Sequence, residues 1–138
     1  MDPNTLSDFF SSYGWRYERT GPGLYRTGFE GDTGAYTIWI RIHEHWIYFT
    51  INPFVSHSHI GKHAEKIYRQ VLDNNHELNM AKFAVDDEGD ILITVEFPRE
   101  GFLYTHFADA LTALSHYADA YWPKFEALGA SKNVSKGD

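Results

Sequence analysis

Three histidines in one short run, His57, His59 and His63 of HSHIGKH, are the grouping in this chain that comes nearest to a chemical site. His59 and His63 stand four apart, so a helix would put both on one face. Neutral imidazoles at that spacing ligate zinc, nickel or copper. The competing reading is a solvated helix start. No carboxylate stands at ligand spacing inside the run, and Lys62 would repel a cation, so no metal is expected. His43-Glu44-His45 lacks the His-Glu-x-x-His order that zinc hydrolysis needs on a helix. It reads as a hairpin turn.

The other reactive residue types fare no better. Asp86, Asp87, Glu88 and Asp90 surround a glycine in the fourth position of their run. A calcium loop of the EF-hand kind needs acids at alternate positions, glycine at the sixth and a late glutamate, so this run reads as a solvated β-turn. GPGLYRTG and GFEGDTG are glycine-rich, but no strand-to-helix transition surrounds them to make a phosphate cradle. No Gly-x-Ser-x-Gly occurs, and no pair of carboxylates is singled out by its spacing for acid–base work. Cysteine is absent, which removes thiolate nucleophiles, disulfides and Cys-type zinc sites and suits a reducing compartment. A non-catalytic protein without a cofactor is expected.

Bulk composition narrows the partners. The formal net charge is −7 with no basic cluster, so nucleic acid and anionic membrane surfaces would be repelled. No stretch is long and apolar enough to span a bilayer. The opening MDPNTLSDFF lacks the basic start and apolar core of a signal peptide, and a soluble cytoplasmic protein is expected. Hydrophobic residues make up 43% and charged residues 22%, a balance that folds rather than staying disordered. Aromatics reach a high 17%, and some of those rings are expected on surfaces that meet another molecule.

The elements that would position these residues follow from periodicity. Asp2 and Pro3 start a helix with Leu6, Phe9, Phe10 and Tyr13 on one face, ended by Gly14. Leu24 to Phe29 reads as an edge strand. From Ala35 the period is two: Tyr36, Ile38, Ile40 and Ile42 face one way and Thr37, Trp39 and Arg41 the other. A two-residue loop at Glu44-His45 then pairs Ile42 with Ile47, Ile40 with Phe49 and Ile38 with Ile51, so every core-facing residue meets another. Pro53 is expected to end that strand. Ser56 or Ser58 caps a second helix with the stripe Ile60, Ala64, Ile67, Tyr68, Val71 and Leu72. A second hairpin turns at Asp86–Asp90 and faces Phe83 and Val85 to Ile93 and Ile91. A last helix starts between Phe102 and Thr105, with the stripe Phe107, Ala110, Leu111, Leu114, Tyr117, Ala118, Tyr121, Phe125 and Leu128. The order α-β-β-β-α-β-β-α predicts an α+β fold, an antiparallel sheet packed against helices. Residues 1–128 form one domain and 129–138 a flexible tail.

Two stretches resemble a known family. LDNNHELNMAKFAVDDEGDILITVEFP is similar to a pattern of Asn-containing helix end, small residue before Lys-Phe, acidic Gly turn and alternating strand. HFADALTALSHYADAYWPKF is similar to a final helix ending in Tyr-Ala-Asp, aromatics and Pro. Together they resemble the YbjN-type domains, which share a fold with bacterial type III secretion chaperones. The match is in motif over residues 71–128 and in pattern only before that. The resemblance implies a small cytoplasmic protein, often dimeric, that binds a protein segment rather than transforming a substrate. It supplies no catalytic residue.

The residues expected to do the binding are aromatic. Trp39, Trp46 and Tyr48 fall on the strand face opposite the isoleucines, with Leu92 nearby. Left uncovered, they form an apolar patch of the kind that marks protein contacts. The competing reading is that Arg41, Lys82 and Glu96 stems and the 15–30 loop cover it. Leu6, Phe9 and Phe10 join the binding surface if the first helix is only half buried. The expected function is a chaperone-like or regulatory module holding a protein or peptide client on this surface, with a homodimer as the assembly. The alternatives are a self-associating adaptor and a small metal-binding protein using His57, His59 and His63.

Overall fold

The computed structural model describes residues 1–130. Helix α1 (Pro3–Tyr13) begins where Asp2 accepts a hydrogen bond from the Asn4 N–H at 2.9 Å. It ends where Gly14 takes φ 89°, a conformation open to glycine and costly for other residues. Strands β1 (Glu18–Gly21), β2 (Leu24–Glu30), β3 (Ala35–Ile42) and β4 (Trp46–Val55) follow. Next come a short helix α2 (His57–Ile60), a 3-10 turn at Gly61–His63 and helix α3 (Ala64–Asn75). Strands β5 (Lys82–Val85) and β6 (Ile91–Pro98) and the long helix α4 (Tyr104–Ala127) complete the chain. The six strands form one antiparallel sheet in the order β1-β2-β3-β4-β6-β5.

The predicted registers stand. Ile42 pairs with Ile47 and Ile40 with Phe49, and the His43 N–H donates to the Trp46 carbonyl across a two-residue loop. In the second hairpin Phe83 pairs with Ile93 and Val85 with Ile91. Alternation then sends Tyr36, Ile38, Ile40, Ile47, Phe49, Ile51, Ile93 and Val95 to a buried face. All the long helices lie on that side: α4 crosses β4 and β6, α3 lies beside β5, and α1 packs on α4. Aromatic rings fill the space between. Phe107 meets Phe10 edge-on at 4.9 Å and Phe49 at 5.9 Å, while Phe54 meets both Trp122 and Phe125 at 5.8 Å.

Several expectations need correction. An additional strand, β1, pairs outside β2, so the sheet has six strands and the 15–30 segment extends the sheet instead of folding over it. Strand β4 runs through Pro53 to Val55, with a register shift between Ile51 and Val55. Proline has no N–H to give to a ladder and is tolerated at such an irregularity. The second helix is interrupted at Gly61. Its start is capped by Asp90, which accepts from the His57 N–H at 2.7 Å, and Ser56 makes no side-chain cap. Leu72 is 69% exposed despite its place in the stripe, and Trp122, left out of the last stripe, is buried. Of the expected tail, Gly129 and Ala130 are described: the Ala130 N–H donates to the Phe125 carbonyl and its side chain is buried. Residues 131–138 lie outside the described residues.

Candidate functional site

With every long helix on one side, the opposite face of the sheet is left without a helical cover. Its residues follow from the registers. One row across the strands reads Glu18, Arg26, Trp39, Thr50, Thr94 and Lys82. The adjacent row reads Leu24, Arg41, Tyr48 and Glu96, and at the hairpin rim Trp46 pairs with Pro98. Trp39 and Tyr48 are half-buried by their neighbours and Arg41 is exposed.

These rows enclose a groove of 490 Å³ whose walls include Trp39, Arg41, His43, Tyr48 and Asn52. The His43 ring stands edge-on to Tyr48 at 5.2 Å, and the Arg26 guanidinium lies 5.8 Å from the Trp39 ring. A second groove of 440 Å³ continues past Trp39 and Asn52 toward Ser56 and His59. The charged residues Arg26 and Lys82 of this face are paired. Arg26 meets Glu18 at 2.6 Å, Lys82 meets Glu96 at 2.6 Å, and the Thr50 and Thr94 hydroxyls lie 3.1 Å apart. Lys82 and Glu96 therefore spend their charges on each other and leave the aromatic groove open.

The expected binding residues divide. Trp39 and Tyr48 share the groove. Trp46 is on the same sheet but 44% exposed at the rim, in a separate depression with Met1, Thr5, Pro98 and Arg99. Phe9 is half-buried among the Phe102, Tyr104 and Phe107 rings. Leu6 and Phe10 are 0% exposed. Helix α1 is pressed on α4 instead of half-buried, so these two side chains are core and offer no surface. Leucine 92 is half-buried on the open face, paired with Ala84. Arg41, His43 and Asn52 were not singled out by their types, yet the hairpin register already placed Arg41 opposite Tyr48.

The histidine run does not converge. His57 Nδ1 lies 3.1 Å from Asp90 Oδ1, whereas the His63 ring sits close against Gly129 at the end of α4. Among the described residues, no three of His, Cys, Asp and Glu gather into a metal-holding group. Asp90 is held below the ordinary carboxylate range, chiefly by the His57 backbone N–H and further by its ring, against the opposing effect of burial. That carboxylate fastens the start of α2 to the β5–β6 turn, where the Tyr68 hydroxyl also donates to the Gly89 carbonyl at 2.9 Å. Among the described residues, no helix is long and apolar enough to cross a membrane.

Known proteins align with this architecture. Residues 2–127 match the model of a family described as "Putative bacterial sensory transduction regulator". No curated protein matches the chain in sequence. Among solved structures, the chain is similar to the E. coli protein YbjN, with 14% identity, TM-score 0.65, and 90% of this chain and 93% of that one covered. It is similar to a chain of the ExsC-ExsE complex at 14% identity and TM-score 0.62, covering 96% and 100%. It is also similar to a chain of the heterodimeric ExoU-SpcU complex from the type III secretion system of Pseudomonas aeruginosa. There the identity is 16% and the TM-score 0.55, covering 89% and 96%. At such identities these likenesses establish a type III secretion chaperone-like fold.

Proposed function

This chain belongs to the YbjN family, and from that premise we propose that it is a non-catalytic cytoplasmic module that holds an extended segment of a partner protein on the open face of its sheet. One observation carries the reading: the helices cover one face of the sheet, while the other keeps an aromatic groove around Trp39 and Tyr48. Burying partner side chains there removes apolar area from water, and the exposed edge of β1 adds a route for backbone pairing. The fold supports the reading as well, since related folds were solved in complex with a second protein, among them the type III secretion chaperone SycH of Yersinia pestis with a fragment of YscM2. Nucleic acid and membrane are not the partners of a face on a chain with net charge −7.

The test is affinity capture from the native cells with the wild-type chain and with Trp39→Ala/Tyr48→Ala. A stoichiometric protein retained by the first and lost by the second is the expected result. Equal capture by both would remove the open face as the site. A second reading, self-association, draws on the exposure of Trp46 beside Pro98. It predicts a dimer by sedimentation that Trp46→Ala dissociates, with no partner retained.

A further inference from the structure

The groove carries a charge of its own, and we propose that the segment it holds bears an aspartate or glutamate side chain that docks on Arg41 between Trp39 and Tyr48. This rests on the peptide-holding reading above and specifies what is held. Of the cations on the open face, Arg26 is taken up by Glu18 and Lys82 by Glu96. Arg41 is exposed, lines the groove and has no carboxylate partner among the described residues. Its cross-strand neighbours are Leu24 and Tyr48, neither of them charged. A chain with formal net charge −7 therefore keeps one uncompensated guanidinium in its aromatic groove.

The chemistry that answers this site is a carboxylate beside an apolar group. A guanidinium takes a carboxylate through two parallel N–H donors, and the ring walls on either side weaken the competition from water. Trp39 and Tyr48 offer faces for the flanking apolar side chains, and Thr50 and Asn52 offer hydrogen-bonding groups along the groove. The two grooves share Trp39 and Asn52 and follow β4 from Tyr48 to Asn52 and on past the register shift beyond Ile51, roughly 13 Å of strand between Tyr48 and Asn52 alone. That length suits at least about four extended residues and exceeds a small acid. Arg41 lies between two other groove walls, Trp39 on β3 and His43 just past its end, so a chain in the groove passes it, which selects a side-chain carboxylate over a chain terminus.

The probe is a set of synthetic eight-residue peptides alternating Leu and Thr, with Glu, Gln or Lys at one central position. Each is titrated against the full chain and followed by the indole NMR signals of Trp39 and of the buried Trp122, the second reporting an intact fold. The Glu peptide is expected to bind roughly tenfold tighter than the Gln peptide, and the Lys peptide weakest of the three. Arg41→Gln should abolish the Glu-over-Gln preference, read as the ratio of the two affinities in the variant itself, while Arg41→Lys keeps part of the preference. Equal affinities for Glu and Gln at the Trp39 signal would overturn the carboxylate assignment and leave the peptide-holding reading in place. A Trp39 signal unmoved by every peptide overturns both.

Discussion

Asp119, in the second half of α4, holds the turn between β2 and β3 through Thr33. Its carboxylate accepts from the Thr33 backbone N–H at 2.7 Å and lies 2.6 Å from the Thr33 hydroxyl, and it also accepts from the Asp32 N–H at 3.1 Å. The turn can approach because residue 31 is glycine, where a Cβ would meet Asp119 Oδ1 at 2.6 Å. Asp119→Ala strands these donors together and is expected to cost about 1.5–3 kcal/mol, the range for hydrogen bonds to a charged acceptor. Urea unfolding checks it. A loss within experimental error would mean that water replaces the carboxylate freely.

Asn75, the last residue of α3, completes the outer edge of β5. Its carboxamide accepts from the Phe83 N–H at 2.7 Å and donates to the Phe83 carbonyl at 2.9 Å, as a paired strand residue would. An edge strand left open invites another chain. Asn75→Ala should lower stability by about 1–2 kcal/mol and raise concentration-dependent association in sedimentation. Destabilisation without association would make the contact purely internal.

These two contacts explain what the sequence revealed and what it withheld. The Asn-containing helix end and the Tyr-Ala-Asp of the last helix carried the family resemblance, and they prove to be fold-bearing: one closes a sheet edge, the other anchors a turn. Period-two alternation fixed which face of β3 and β4 is buried, and the isoleucine pairing fixed the register. The exposure of Leu72 and the burial of Leu6 and Phe10 were not legible, because a helical stripe states which residues share a face and not how much of that face a neighbour covers. Strand β1 was missed because ERTG has no apolar alternation and pairs at the edge through its backbone. The groove was half legible: the rings announced it, while Arg41 gained meaning only once its fellow cations were seen to be paired.

Leu6 and Phe10 on one side, and Trp46 and Tyr48 on the other, separate core from surface by experiment. Leu6→Ala or Phe10→Ala empties a fully buried site and should cost about 2–5 kcal/mol for the leucine and about 3–5 kcal/mol for the phenylalanine. The Trp46→Ala/Tyr48→Ala double variant touches an exposed and a half-buried ring. It should unfold at nearly the wild-type urea midpoint and still weaken partner capture or self-association. If the double variant unfolds as readily as Phe10→Ala, the rings are structural and the surface reading fails.

Asp90 sets the acid limit of the α2 junction. Its carboxyl is lowered from an ordinary value of 3.8, first by the His57 backbone N–H. A folded-state value below the unfolded one means that the ionised form contributes stability. That contribution is complete above the ordinary value and is lost as pH falls below it, through the lowered folded-state value. Asp90→Asn removes the charge at every pH, so the variant should be less stable than wild type at pH 7, and the difference should shrink as pH falls from about 4 toward 2. Urea midpoints at pH 7, 4 and 3 measure it. A gap that stays constant over that range would mean that the protonated Asp90 carboxyl serves the His57 N–H as well as the carboxylate does, and that Asp90 acts as a hydrogen-bonding cap without electrostatic weight.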